Sequence, residues 1–137
     1  MIWKDKYAVG VPVIDGQHKE LFRRVTDFVT TLRSDGDWAT KEQSVNDTLN
    51  FMKAYVVEHF RDEEAYQREI GYPGFEAHRK IHADMVHYVG EVAEQYGKSS
   101  EKEQLMQQFG GKLLAWLINH VTAEDQKIAD YDRKRGR

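Results

Sequence analysis

Apolar positions recur along the chain in steps of three and four, a rhythm that predicts four long helices. In the first, Leu21, Phe22, Val25, Phe28, Val29 and Leu32 share one face. The second stripe runs Val45, Leu49, Met52, Val56, His59, Glu63, Tyr66 and Ile70. The third carries Phe75, His78, His82, Met85, Val89, Val92 and Tyr96. The fourth carries Met106, Phe109, Leu113, Trp116 or Leu117, His120, Ile128 and Tyr131. The helices are expected at about 15–34, 40–70, 74–96 and 100–132. Asp15 is the expected N-cap of the first, and Thr40 with Gln43 and Ser100 with Glu103 read as capping boxes. Gly36, Gly71 and Gly97 follow periodic runs, where a helix C-cap favours glycine. Steps averaging about 3.5 residues suit near-parallel helices packed along one seam. The expected fold is therefore all-α, an up-down-up-down four-helix bundle. Residues 1–14 lack the rhythm, and Tyr7–Ile14 reads as an extended N-terminal arm. Gly110-Gly111 conflicts with a helix interior by about 1 kcal/mol per glycine relative to Ala. Close helix–helix approach is the structural reading of that pair.

The stripes contain residues that a core should reject. His59, His78, His82 and His120 all fall on apolar faces, and Glu63 follows His59 by one turn. His18 lies three and four residues before Leu21 and Phe22, so it faces inward too. Of the six histidines only His87 falls off its stripe. A lone buried His is ordinarily a hydrogen-bonded core residue. Five on four converging helices, together with a carboxylate, are explained jointly by a shared metal, because burying each without a partner costs a few kcal/mol. His78 and His82, and His59 and Glu63, are i,i+4 pairs that present two ligands on one helix face. His120 is followed by Glu124 at i+4 and Asp125 at i+5. Ideal geometry favours Glu124, since a residue at i+5 is rotated by about 140°. Asp125 could reach the centre only from the side or through a bent helix, so spacing leaves this ligand open.

Composition narrows the chemistry. The chain has 137 residues, 40% hydrophobic and 31% charged, with a formal net charge of −3 and no Cys. This length suits a single domain over 1–137. The absence of Cys removes disulfides, thiolate nucleophiles and Cys-held zinc or iron–sulfur clusters. The scattered Lys and Arg argue against a nucleic-acid partner. No apolar run approaches the roughly 20 residues of a membrane span, and Met1–Lys6 lacks a signal-peptide core, so the expected location is cytoplasmic.

Five imidazoles and two carboxylates exceed the four ligands of a tetrahedral zinc, and calcium or magnesium would want an all-oxygen shell. Imidazole suits zinc, copper, iron and nickel. Seven ligands fit two metals if both carboxylates bridge, with three His on one metal and two on the other. The second metal then keeps an open position for a small ligand.

In order and spacing, Ile14-Asp15-Gly16-Gln17-His18, His59-Phe60-Arg61-Asp62-Glu63-Glu64, His78-x-x-x-His82 and His120-x-x-x-x-Asp125 resemble the hemerythrin signature. The resemblance spans essentially the whole chain, and the length is similar to that of free-standing bacterial members. It implies reversible dioxygen binding at two non-heme iron ions (Fe2+/Fe3+) with a bridging oxo or hydroxo group. It selects Asp125 over Glu124 as the second bridging carboxylate. It groups His78, His82 and His120 on the saturated iron, and His18 and His59 on the open one. It also implies an apolar oxygen pocket from Leu21, Phe60, Trp116, Leu117 and Val121. The expected role is oxygen carriage, storage or delivery by a monomer, with a reductase or an oxygen-consuming enzyme as its protein partner. Two other classes share the ligand set: a di-iron peroxidase or nitric-oxide-handling enzyme, and an oxygen or redox sensor read by a separate partner. A third alternative, the least favoured, is a helical bundle whose histidines hold structural zinc.

Overall fold

The structure, a computed structural model, describes residues 3–135. Four antiparallel rods form the bundle: α1 (Pro12–Arg33), α2 (Trp38–Ile70), α3 (Phe75–Lys98) and α4 (Lys102–Asn119). The fourth rod continues through a π-helical turn (His120–Glu124) into α5 (Asp125–Lys134). Each of the four helices packs on its two neighbours, α1 on α2 and α4, and α3 on α2 and α4. The expected stripes form one core that includes Phe22, Val25, Leu49, Met52, Val89, Met106 and Phe109. Among the described residues, no helix is long and apolar enough to cross a membrane.

Helix starts depart from the expectation, for physical reasons. The first helix begins at Pro12, not Asp15. Proline has no amide hydrogen and a φ preset for a first helical turn, so it starts a helix at no hydrogen-bond cost. Asp15 is not the N-cap; its carboxylate instead reaches back to accept from the amides of Val9 (2.8 Å) and Gly10 (3.2 Å). The described part of the arm is thus shorter than residues 1–14 suggested, and Asp5–Tyr7 form a 3-10 turn. Gln126 holds it from the other side by donating to the Tyr7 carbonyl (2.9 Å). Neither capping box forms. Asp37, not Thr40, caps α2 by accepting from the Thr40 amide (3.1 Å), and Gln43 turns to Asp47. Glu101 precedes α4 without a side-chain cap bond, and Ser99 accepts from the Glu101 amide instead.

Of the three expected glycine caps, Gly71 ends α2 in the left-handed conformation (φ 68°). Gly97 lies inside α3, which runs on to Lys98. Ser34 rather than Gly36 caps α1, and buried Lys41 donates to the free carbonyls of Leu32 and Ser34 there. A cation at a helix C-terminus complements the exposed carbonyl dipoles. Close approach accounts for Gly110: a Cβ there would lie 3.2 Å from Leu32 Cδ1 and 3.4 Å from Phe28 Cε2. Gly111 has open space around its Cβ position, and nothing in the structure requires glycine there.

Candidate metal centre

Antiparallel packing brings the second turn of α1, the C-terminal half of α2, the start of α3 and the π turn to one end of the bundle. There His18, His59, Glu63, His78, His82, His120 and Asp125 are all at most 2% exposed. The π turn settles which carboxylate joins them. In it the Asp125 amide donates to the His120 carbonyl, an i→i+5 bond, so Asp125 comes round onto the face of His120. Thr122 supports this turn by donating its hydroxyl to the Ile118 carbonyl (2.6 Å). Glu124 points away and pairs with Lys127 (3.3 Å).

The seven side chains fall into two groups joined by the carboxylates. Glu63 Oε2 lies 3.1 Å from His18 Nε2 and 3.3 Å from His59 Nε2. Its Oε1 lies 2.8 Å from His78 Nε2 and 3.3 Å from His82 Nε2. Asp125 repeats the division: Oδ2 is 3.1 Å from His18 Nε2, and Oδ1 is 3.1 Å from His78 Nε2 and 3.2 Å from His120 Nε2. Within the larger group, His120 Nε2 lies 3.2 Å from His78 Nε2 and 3.0 Å from His82 Nε2. Ligands at right angles around one metal, each at about 2.1 Å, would be about 3.0 Å apart. Glu63, His78, His82, His120 and Asp125 form one cluster able to hold an ion, and His18, His59 and Glu63 form a second.

Protons alone do not satisfy this arrangement. Neither oxygen of Asp125 makes a hydrogen bond of acceptable geometry, although it is fully buried. The outer hydrogen bonds point the ring lone pairs inward. Gln17 donates its amide to Asp62 (2.7 Å), which turns its Oε1 to accept from His59 Nδ1 (2.7 Å). Glu64 accepts from His82 Nδ1 (2.8 Å). Each ring then keeps its proton on Nδ1 and leaves Nε2 free for a metal, the usual tautomer control at His-ligated sites. Three converging Nε2 atoms and two carboxylates in a dry site fit divalent or trivalent cations of the imidazole-binding series.

Without an ion, protons take up part of that role. Burial lowers the His18 imidazole, but the Asp125 and Glu63 carboxylates outweigh it and raise the group to about 10. The same balance puts His78 at about 9 and raises His120. At His59 burial wins and the group is lowered. Burial also pushes Glu63 and Asp125 up, yet the surrounding imidazoles hold both carboxyls below their ordinary range.

The five residues of the expected oxygen pocket are all near the centre's helices. Leu21, Phe60, Leu117 and Val121 are buried in the main core, and Trp116 is half-buried against it. Phe60 stacks on the His82 ring (3.8 Å between centroids) and lies 5.7 Å from that of His59. Trp116 stacks on His120 at 4.4 Å. Phe60 and Trp116 therefore stack on rings of the three-His side, with Phe60 also beside His59. His87 is exposed and paired with Glu91 (2.6 Å), as its position off the stripe predicted. Sequence reasoning gave no role to Gln17 or Asp62 and left Glu64 undecided. Their signal was adjacency alone, since Gln17 precedes a ligand and Asp62 and Glu64 flank one.

Comparison with known proteins gives the same answer as the geometry. The family model described as the hemerythrin HHE cation binding domain matches residues 9–131. The bacteriohemerythrin of Stenotrophomonas maltophilia is 28% identical over 130 residues, covering 95% of this chain and 80% of that protein. The bacteriohemerythrin of Clostridium acetobutylicum is 24% identical over 94% of this chain and 98% of its own length. The hemerythrin subunit alpha of Lingula anatina is 30% identical over 91% of this chain and 89% of that subunit. With the family model covering nearly the whole bundle and the seven side chains gathered at its one polar end, the chain belongs to the hemerythrin family.

Proposed function

We propose that the chain binds dioxygen reversibly, as a carrier, store or delivery protein, at two non-heme irons held by His18, His59, Glu63, His78, His82, His120 and Asp125. The observation that carries this reading is the two-sidedness of the carboxylates. Glu63 and Asp125 each turn one oxygen to the His18 side and the other to the His78 side. Three imidazoles stand on one side and two on the other. The two-imidazole side is one protein ligand short, which leaves room for a small molecule. Two irons held there by the shared Glu63 and Asp125 carboxylates would together be able to supply the two electrons that dioxygen binding requires.

The protein's own residues supply orientation and dryness. Gln17 and Glu64 hold the Nδ1 protons of His59 and His82, so the rings stay oriented when the bound gas leaves. Leu21, Phe60, Trp116, Leu117 and Val121 form the wall of the oxygen pocket and carry no acid to protonate a bound ligand. General acid–base turnover needs a titratable group within hydrogen-bond reach, and these side chains offer none. That favours carriage over peroxidase or nitric-oxide chemistry. The reading treats the chain as a single monomeric domain acting in the cytoplasm, exchanging electrons with a reductase and oxygen with a consuming enzyme.

The test is an absorption spectrum of the reduced protein under argon, then in air, then after purging, with iron quantified. About two irons per chain and a ligand-to-iron band that appears in air and vanishes on purging are expected. An irreversible spectrum, or a single metal per chain, overturns the proposal. His59→Ala should abolish the band, whereas His87→Ala should leave it unchanged.

A further inference from the structure

The outer cleft between α2 and α3 is open to solvent and has a volume of about 560 Å³, within the size range of small-molecule sites. Its walls include a residue of the metal centre: both His82 and the Phe60 ring stacked on it line the cleft. Glu64, the carboxylate that accepts from His82 Nδ1, lines it too.

The cleft has two chemically different ends. Arg68 and Arg79 line it near the α2–α3 turn, with Arg61 between them and the other end. The acid held by Arg79 is Glu76 (2.9 Å), outside the cleft, and Arg68 lies over the Phe75 ring. Among the described residues Glu64 is the only acidic one lining the cleft, against three arginines, of which Arg61 lies 3.6 Å from Asp62 outside it; the chain's net charge is −3. At the far end Val57 (49% exposed) and Val86 (37%) are two of the large hydrophobic side chains left open to solvent. They also line a smaller adjoining cavity of about 140 Å³ with Val56 and Val89. Arg68 and Val57 are eleven residues apart on one helix, a span of about 16 Å.

We propose that this cleft binds a phosphorylated, planar-ringed electron carrier of the flavin mononucleotide class, which returns the oxidised metal pair to its oxygen-binding state. The inference rests on the di-iron reading above. Guanidinium groups recognise phosphate through paired hydrogen bonds, which assigns the phosphate to Arg68 and Arg79. The ring lies along Val57, Val86 and the Phe60 edge, beside the imidazole of His82. The reduced flavin anion gives up two electrons and one proton and becomes the oxidised flavin. Each of two ferric ions takes one electron, and the proton leaves to solvent through the open cleft.

The experiment titrates flavin mononucleotide, then riboflavin, with the metal-loaded protein and follows flavin fluorescence. Riboflavin, which lacks the phosphate, should bind at least about tenfold more weakly, as should the mononucleotide to a variant carrying Arg68→Gln and Arg79→Gln. Both arginines lie on the surface, and a circular dichroism melt checks that the variant folds. A Val86→Asp variant should weaken both flavins. In stopped flow, reduction of the oxidised protein by photoreduced flavin mononucleotide should slow about tenfold in the arginine variant, while reduction by dithionite stays unchanged. Superimposed titrations of the two flavins, or full affinity in the arginine variant, overturn the proposal. Phosphate-dependent flavin binding without reversible oxygenation would sink the oxygen reading and keep the cleft as a flavin site. Reversible oxygenation with superimposed titrations would do the reverse.

Discussion

The two ends of this bundle use the same helices for opposite purposes. At one end Val25, Phe28, Leu32, Val45, Leu49, Met106 and Phe109 fill the interior, and Phe28 meets Phe109 edge-on at 6.0 Å. That end is complete as folded, since apolar side chains need only contact and dryness. At the other end the same stripes present five imidazoles and two carboxylates, with Asp125 Oδ1 and Oδ2 and the Nδ1 atoms of His18 and His120 lacking hydrogen-bond partners. Gln67, one turn beyond Glu63, is also fully buried with neither amide atom bonded. One half of the molecule therefore supplies stability by itself, and the other becomes stable by holding metal.

Removing metal should expose this difference most strongly. A ligand present at a thousand times its dissociation constant stabilises by about 4 kcal/mol, so chelation should lower the melting temperature by about 15 °C. Hydrogen exchange should quicken around residues 59–63 and 120–125 and stay slow around 25–32 and 106–113. Equal loss of protection at both ends would erase the contrast. Phe109→Ala attacks the opposite end. It should cost about 3–5 kcal/mol by denaturant titration while iron content per chain stays constant. A drop in iron content would mean that the apolar end shapes the centre after all.

Acidity should move the two forms in opposite directions. In the metal-free chain His18 and His78 are raised to about 10 and about 9 from an ordinary 6.5. Their contribution is fully present below about pH 6.5 and is lost as pH rises through 9 to 10. Glu63 and Asp125 are lowered, so their contribution is present above ordinary values of 4.5 and 3.8 and is lost in stronger acid. His120 is raised as well, and the lowered His59 opposes these three, so the metal-free protein should melt higher at about pH 5.5 than at about pH 9. Metal ligation needs neutral imidazoles, so the loaded protein should lose iron and stability as pH falls below about 6. Thermal melts of both forms at the two pH values check this, and parallel trends would contradict it.

The smallest expected effects separate the two adjacent glycines at the apolar end. Gly110→Ala places a methyl group 3.2 Å from Leu32 Cδ1 and should destabilise by about 1 kcal/mol. Gly111→Ala meets open space and should stabilise by up to about 1 kcal/mol through helix propensity. Equal effects in chemical denaturation would mean that α1 and α4 are not in close contact at Gly110.

Much of this was legible along the chain. The stripes located the four rods, and the inward histidines marked the centre, because a buried imidazole is conspicuous against an apolar period. Helix starts were less legible. Ser, Thr and Asp are common near helix ends, and only the backbone shows which one receives a free amide. Thr40 and Ser100 had the right neighbours, yet Asp37 and a segment without a side-chain cap bond took those places.

The sequence by itself determined the fold class, the ligand types and the exclusion of sulfur chemistry, because periodicity and residue identity are one-dimensional properties. Tertiary structure decided what depends on direction. It chose Asp125 over Glu124 through a π turn that regular helix spacing cannot anticipate. It turned the two oxygens of each carboxylate to opposite sides, and it gave Gln17 and Glu64 their hold on His59 and His82. It also set a metal-centre ring against the wall of an arginine-lined cleft, since only packing determines which buried side chain a cleft borders.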